Sequence, residues 1–232
     1  MKRKISVIIT MLLLGGCLYG QYQSITVRAG TKIINSFPPE VRYMYPQFVE
    51  GQVVLNNNQI STAMINYNLL RDEIDFIQDN DTVTIVRKRD LKYVITESDT
   101  FVYMPAGYMK LIYDQKLKVY CKDKINLKDI LKRDGMGAVN RSAGISSFGD
   151  NEYRGLPYDL VVQEDYVYKR EVAYYIATPS GALEPFKKTN VLNLFSYNKF
   201  HKAEIQKYLK INKINFEKQE DVIKLAEYLS AL

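Results

Sequence analysis

Short segments in which apolar and polar residues alternate fill the middle of the chain, between residues 48 and 122. They come in pairs, and each pair is separated by turn-forming residues, such as the asparagines at 56–58 and Asp79, Asn80 and Asp81. Asn and Asp tolerate the left-handed backbone conformation that tight hairpin turns require. This spacing predicts an antiparallel meander, either a curled sheet or a small barrel. The predicted strands are 52–55, 59–67, 73–78, 82–87, 92–96, 100–104, 109–113 and 117–121.

Two kinds of pattern follow towards the C-terminus. Alternation returns at 166–178 and 182–186, which predicts a hairpin that adds to the sheet or covers it. Apolar residues then recur at helical spacing, and helices are predicted at 190–195, at 199–211 and around a third stripe. The members of that stripe are Val222, Leu225, Ala226 and Leu229. The predicted class is therefore α+β, an antiparallel β meander followed by a C-terminal helical segment.

The first twenty residues have the pattern of a secretory signal peptide. Lys2, Arg3 and Lys4 precede an apolar run at 5–14, and small residues follow it. The run is shorter than the roughly 20 apolar residues that a membrane-spanning helix needs. We therefore expect an exported protein that is periplasmic, associated with the outer membrane or extracellular.

Two cleavage sites compete at the end of this leader, residues 1–20. The segment Leu14-Gly-Gly-Cys17 resembles a bacterial lipobox, in which the cysteine is lipidated and becomes the first mature residue. Cleavage after Gly20 would instead leave Gln21 at the N-terminus of a soluble exported protein. The first alternative gives a lipoprotein that contacts the membrane only through its lipid anchor, and both alternatives stay open.

Composition shifts divide the remainder of the chain into segments. Residues 133–158 are rich in Gly and Ser and lack apolar periodicity, so a long loop is predicted there. The complete order is an N-terminal arm at 21–46, an antiparallel β domain at 47–132, this loop at 133–158, a β hairpin at 159–188 and C-terminal helices at 189–232.

Composition and charge exclude several classes of protein. With 47% hydrophobic and 25% charged residues among 232, the chain is unlike disordered or collagen-like proteins. Two cysteines exclude a disulfide-stapled scaffold. The formal net charge is +6, and removal of the three basic leader residues would leave +3. A charge this small in an exported protein speaks against a nucleic acid partner.

Several segments resemble those of exported proteins of Bacteroidota that have no assigned activity. In the body of the chain the similar segments are PQFVEGQVVL from Pro46, INYNLL from Ile65 and DTFVY from Asp99. In the tail they are FKKTNVLNLF from Phe186 and INFEKQEDVIKL from Ile214. The resemblance implies a location in the cell envelope and transfers no catalytic residue.

The inventory of reactive side chains is small. His201 is the only histidine, so a Ser-His-Asp or Cys-His site would have to use it. Glu204 lies three residues further on, but two ligands do not make a zinc site. Cys121 falls on the apolar side of a predicted strand, as a small core residue does. We therefore predict no catalytic residue, no metal site and no cofactor.

Acidic residues cluster at three places, and paired carboxylates can carry out glycoside hydrolysis when they are held at the right separation. Asp79 and Asp81 lie where a hairpin needs turn residues, although their oxygens also suit Ca²⁺. The other two clusters are Asp72, Glu73 and Asp75, and Glu164 with Asp165.

Tyrosine is abundant, at 19 residues. Tyr43 and Tyr45 share one face of an extended segment, and so do Tyr166 and Tyr168. A tyrosine combines a large apolar area with a polar tip, which suits both packing between strands and recognition surfaces. These four tyrosines are the candidate binding residues, and both interpretations of them stay open.

Together these observations favour an exported cell-envelope protein that acts as a non-catalytic binding or interaction module. Its expected partner is an envelope protein or a glycan. The alternative is a carboxylate-dependent hydrolase that acts on envelope or extracellular glycans. A third hypothesis, a carrier of lipid or another small apolar ligand, requires a hollow barrel interior. The sequence leaves the ligand and the oligomeric state open.

Overall fold

The computed structural model describes residues 24–133, 139–141, 159–178, 180–195 and 199–232. Within these ranges twelve strands form one antiparallel sheet. The strands are β1 (Ile25–Val27), β2 (Val49–Leu55), β3 (Ile60–Asn68), β4 (Glu73–Gln78), β5 (Asp81–Thr84), β6 (Leu91–Thr96), β7 (Thr100–Met104), β8 (Gly107–Asp114), β9 (Lys118–Arg133), β10 (Val139–Arg141), β11 (Asp165–Ala177) and β12 (Leu183–Pro185). The helices are α1 (Pro39–Arg42), α2 (Lys188–Phe195), α3 (Lys199–Ile211) and α4 (Gln219–Ala231).

Several predictions fall outside the described residues. They are the signal peptide at 1–20, the lipidation site Cys17 and most of the Gly/Ser-rich loop at 133–158. The strand β10 lies within that predicted loop and pairs with β9.

The strand order joins two meanders. Strands β2 to β5 follow one another in one half of the sheet, and β6 to β9 in the other half. The halves meet where β2 pairs with β6, with Gly51 opposite Thr96. Beyond β9 the order continues through β11 to β1. The predicted antiparallel sheet with C-terminal helices is confirmed, and the single predicted meander is divided because β2 pairs with β6 as well as with β3.

The sheet is open and curled, with β1 at one end of the strand order and β5 at the other. The Ile125 amide of β9 donates a hydrogen bond of 2.8 Å to the Leu69 carbonyl, in the turn after β3. This bond connects two parts of the sheet that are not neighbours in the strand order. The turn between β3 and β4 therefore lies against β9.

The length of β9 differs from the prediction, since the strand runs to Arg133 rather than ending at residue 121. Its second half contains many charged residues and so lacks a clear apolar alternation. The reason is visible at Asp123, whose carboxylate accepts two hydrogen bonds, of 2.8 and 2.6 Å, from Arg170 of β11. A cross-strand ion pair stabilises a strand pair but hides the pattern from which a strand is predicted.

The hairpin between β4 and β5 shows why its turn needs Asn and Asp. Asp79 and Asn80 both have positive φ, at 50° and 69°, as the central residues of a two-residue hairpin turn require. Asp81 already belongs to β5 and faces Gln78. The turn is therefore one residue shorter than predicted.

The first hydrophobic core lies within the curl of the sheet. The predicted N-terminal arm takes part in it, because Ile33 and Phe37 are buried there and β1 pairs with β11. The buried members are Val27, Ile33, Phe37, Ile65, Tyr67, Leu69, Ile74, Leu91, Val94, Phe101, Tyr108, Ile125, Val162 and Tyr168.

The second core joins the helices to the sheet. The predicted stripe of α4 is fully buried, and it packs with Ile205 and Leu209 of α3 and with Val119 and Ile176 of the sheet. The remaining buried members of this core include Cys121, Tyr174, Phe186 and Val191. The apolar stripe therefore contacts both the preceding helix and a sheet face. None of the helices in the described ranges has the length and apolar character needed to cross a bilayer.

Candidate functional site

The four candidate tyrosines do not share one surface. Tyr43 and Tyr168 are buried, and the Tyr168 ring meets Phe37 edge-on with 5.1 Å between the ring centroids. Tyr166 packs half-buried against the first core. Tyr45 is also half-buried, but it lines an open groove. The structure therefore separates Tyr45, which a ligand can reach, from Tyr43 and Tyr168, which pack inside the protein.

The groove at Tyr45 lies on β2 and on the β6–β7 turn and has a volume of about 480 Å³. Its lining combines the apolar side chains of Val49 and Ile95 with exposed polar ones. The polar members are Glu50, Gln52, Glu97 and Ser98. The volume lies in the usual range of ligand sites, but polar residues outnumber apolar ones in this lining, so the groove suits a polar ligand better than an apolar one.

Hydrogen bonds hold Tyr45 at its hydroxyl and at its backbone. Its hydroxyl donates a hydrogen bond of 2.6 Å to Asp99, whose other carboxylate oxygen pairs with Lys110 at 3.3 Å. Its backbone N–H and C=O are both bonded to the side-chain amide of the buried Asn66, at 3.1 and 2.9 Å. Burial raises the pKa of Tyr45, and the bond to Asp99 raises it further, so the phenol stays protonated. The aromatic wall of the groove is thus preorganised.

The predicted acidic cluster at 72–75 belongs to an ion-pair network in which Asp75 is buried and Asp72 and Glu73 are half-buried. Asp72 pairs with Lys122, Glu73 with Lys88 and Asp75 with Arg71. Each carboxylate has a cation, as buried charges require. Lys122 comes from β9, 50 residues away in sequence, and is brought there by the curl of the sheet.

Asp75 is the most fully bonded of these carboxylates. One oxygen accepts from the Tyr43 hydroxyl at 3.0 Å and from the Asn68 amide at 2.9 Å. The other accepts from the Thr84 hydroxyl at 2.7 Å and from Arg71 at 3.3 Å. A carboxylate with four donors is a structural element of the interior rather than a reactive group.

Two buried polar atoms near this network have no hydrogen-bond partner among the described residues, Glu73 Oε2 and Tyr108 Oη. Burial raises the pKa of Glu73 although its Lys88 partner acts in the opposite direction. Burial also raises the pKa of Tyr108, and the negative charge of Glu73 adds to the effect. Tyr108 is 1% exposed, so solvent does not reach this phenol. No sequence pattern distinguished Tyr108 or Lys122 from the other residues of their strands.

The remaining candidates lie apart from one another. Cys121 is buried in the second core, and burial raises the pKa of its thiol to about 12. His201 is half-buried on α3, with its ring 6.2 Å from that of Phe200. Asp79 and Asp81 are exposed at a hairpin tip, whereas Asp165 is buried and accepts from Arg28 at 2.8 Å. In the described part of the chain no three His, Cys, Asp or Glu side chains meet in an arrangement that suits a metal ion.

Comparison with known proteins finds no relative of this chain. No family model matches the chain, no curated protein matches its sequence and no solved structure matches its fold. The resemblance to exported proteins of Bacteroidota therefore stays an expectation, and function has to be argued from the geometry.

Proposed function

We propose that this chain is an exported cell-envelope protein that acts as a non-catalytic binding module, with the groove at Tyr45 as its binding site. The signal-peptide pattern at residues 1–20 supports export. The observation that carries the binding role is the open groove, with its aromatic wall held in place by Asp99 and Asn66. A side chain that is already fixed loses little conformational entropy when a ligand binds to it.

The charge of the groove supports a cationic partner. Glu50 and Glu97 are both exposed at the groove, so two negative charges border it. A local acidic patch attracts a cationic segment of a partner. We therefore favour an envelope protein that presents a basic, extended segment over a glycan, because a glycan gains less from two carboxylates.

The hydrolase alternative depends on Glu73. This residue combines a raised pKa with one buried oxygen that has no hydrogen-bond partner among the described residues, and both are properties of a general acid. Its neighbours Asp72 and Asp75 are each held by a cation and by hydroxyl donors. A hydrolase would need a second free carboxylate close to Glu73, so the geometry favours the binding module.

The binding role is tested with a fluorescent peptide of alternating Lys and Ala and with purified peptidoglycan sacculi. We expect the mature protein to bind the peptide, more weakly as salt is raised. The double variant Glu50→Gln/Glu97→Gln should lower the affinity about tenfold, since it removes both charges without changing side-chain volume. Glu217→Gln, at an exposed position before α4, is the matched control.

The outcomes separate the hypotheses. Binding to sacculi that is insensitive to the double variant would replace the protein partner by a glycan. Absence of binding to both probes would contradict the binding module. Turnover of sacculi that Glu73→Gln abolishes would establish the hydrolase instead.

A further inference from the structure

Helix α3 presents one exposed stripe that the second core does not use. Phe200 and Ile211 are 68% and 67% exposed, which is unusual for such large apolar side chains. Glu204 and Lys207 lie between them on the same side of the helix, because all four positions recur at three- or four-residue spacing. We call these four residues the α3 stripe.

The α3 stripe borders a groove of about 520 Å³ between α3 and α4. The groove contains the rings of Tyr208 and Tyr228, which stack with their centroids 3.8 Å apart and their planes 9° apart. Ile205 and Leu209 of α3 point the other way, into the second core. The helix is therefore fixed on the body of the protein while its outer side remains open to a partner.

The charges of the stripe identify that partner. The midpoint between Phe200 and Ile211 along the helix is also the midpoint between Glu204 and Lys207. If two such helices pack antiparallel around a two-fold axis at this midpoint, Phe200 of each faces Ile211 of the other. The same operation places Glu204 of each copy opposite Lys207 of the other. The stripe is thus complementary to itself in both apolar contact and charge, as an isologous interface requires.

We propose that the α3 stripe is a homodimerisation surface, on which a second copy of this chain docks with its α3 antiparallel. Ala203, which is exposed beside the stripe, is small enough to let the two helices approach closely. Phe200 and Ile211 of the second copy then cover the groove between α3 and α4, against its aromatic and apolar residues. This inference is independent of the groove at Tyr45, which lies on the β sheet.

The size of the α3 stripe determines how strong a dimer we expect. A helix of 13 residues is about 20 Å long, so we expect the pair to bury less area than a standard stable interface. We therefore expect a reversible dimer with a dissociation constant in the micromolar range.

A charge-swap series tests the proposal by sedimentation velocity over a range of concentrations of the mature protein. Glu204→Lys and Lys207→Glu each place like charges opposite one another, twice per dimer, and each should weaken dimerisation at least about tenfold. The double variant Glu204→Lys/Lys207→Glu restores both cross-pairs and should dimerise as the wild type does. Lys202→Glu, exposed on another side of α3, is the control and should change nothing.

The same series can overturn the proposal. A wild type that stays monomeric at all concentrations contradicts it, and so does a dimer that all four variants retain. Loss of dimerisation in the double variant as well as the single ones excludes the antiparallel pairing. Thermal unfolding of each variant shows whether the monomer is intact, so that a folding defect is not mistaken for a loss of association.

Discussion

The substitution Asp72→Asn tests whether the ion-pair network stabilises the curl of the sheet. Lys122 is 5% exposed, and its ammonium pairs with Asp72 and donates to the Tyr108 carbonyl at 2.9 Å. Asp72 has a φ of 57°, a conformation that Asn tolerates well, so the substitution adds no backbone strain. The new amide oxygen can still accept the Tyr67 hydroxyl, which lies 2.7 Å from Asp72. The variant therefore removes one negative charge and little else.

The expected loss follows from the burial of the partner. Removal of one member of a buried ion pair costs about 3–5 kcal/mol, because the other charge stays in the interior after losing its counter-charge. The Asp72 side chain is 17% exposed, so water relieves part of this cost and we expect the lower end, about 3 kcal/mol. For a chain of this length, that loss corresponds to a fall in Tm of about 6–12 °C.

Urea unfolding measures this loss, and a second substitution identifies its cause. Lys122→Met, added to Asp72→Asn, removes the Lys122 charge at similar volume, so the double variant should recover much of the stability. Asp81→Asn, at the exposed hairpin tip, is the control and should stay within about 0.5 kcal/mol of the wild type. A loss below about 1 kcal/mol for Asp72→Asn would refute the reasoning. A double variant that is less stable than the single variant would refute it as well.

Two further predictions concern the second core, and a third concerns Glu73 in the ion-pair network. Leu225→Asp places a carboxylate in the second core at a position with no exposure, and it should cost at least about 3–5 kcal/mol, measured by circular dichroism melting. Cys121 should resist alkylation by iodoacetamide at pH 8 in the native protein and react fully in urea, because burial raises its pKa to about 12 and excludes the reagent. Because the pKa of Glu73 is raised, the folded state binds the Glu73 proton more tightly than the unfolded state does. Protonation of Glu73 therefore stabilises the fold fully at a pH below the pKa of the unfolded state. This stabilisation is lost as the pH rises through the pKa of the folded state. The stability of Glu73→Gln relative to the wild type should therefore increase between pH 4 and pH 7 in urea titrations, and a constant difference would contradict the shift.

Local patterns were sufficient for elements whose partners are close in sequence. The β4–β5 hairpin and the α4 stripe were both predicted, because turn chemistry and helical periodicity act within a few residues. The prediction failed where a strand face is polar, as in the second half of β9, since Asp123 satisfies that face by pairing with Arg170. The alternation of apolar and polar residues reveals which apolar side chains are buried, but it does not reveal a buried ion pair.

The candidate site shows the same division between local and long-range information. The sequence by itself shows that acidic residues gather at 72–75, but its prediction that Tyr43 and Tyr45 share one face of an extended segment is wrong, because they lie in a bridge and a bend rather than in a strand. Only the tertiary structure decided that Tyr43 bonds to Asp75 in the interior while Tyr45 borders an open groove. Likewise the cation for Asp72 comes from the distant Lys122. Burial depends on which strands the curl brings together, and that is set by contacts between residues far apart in the chain.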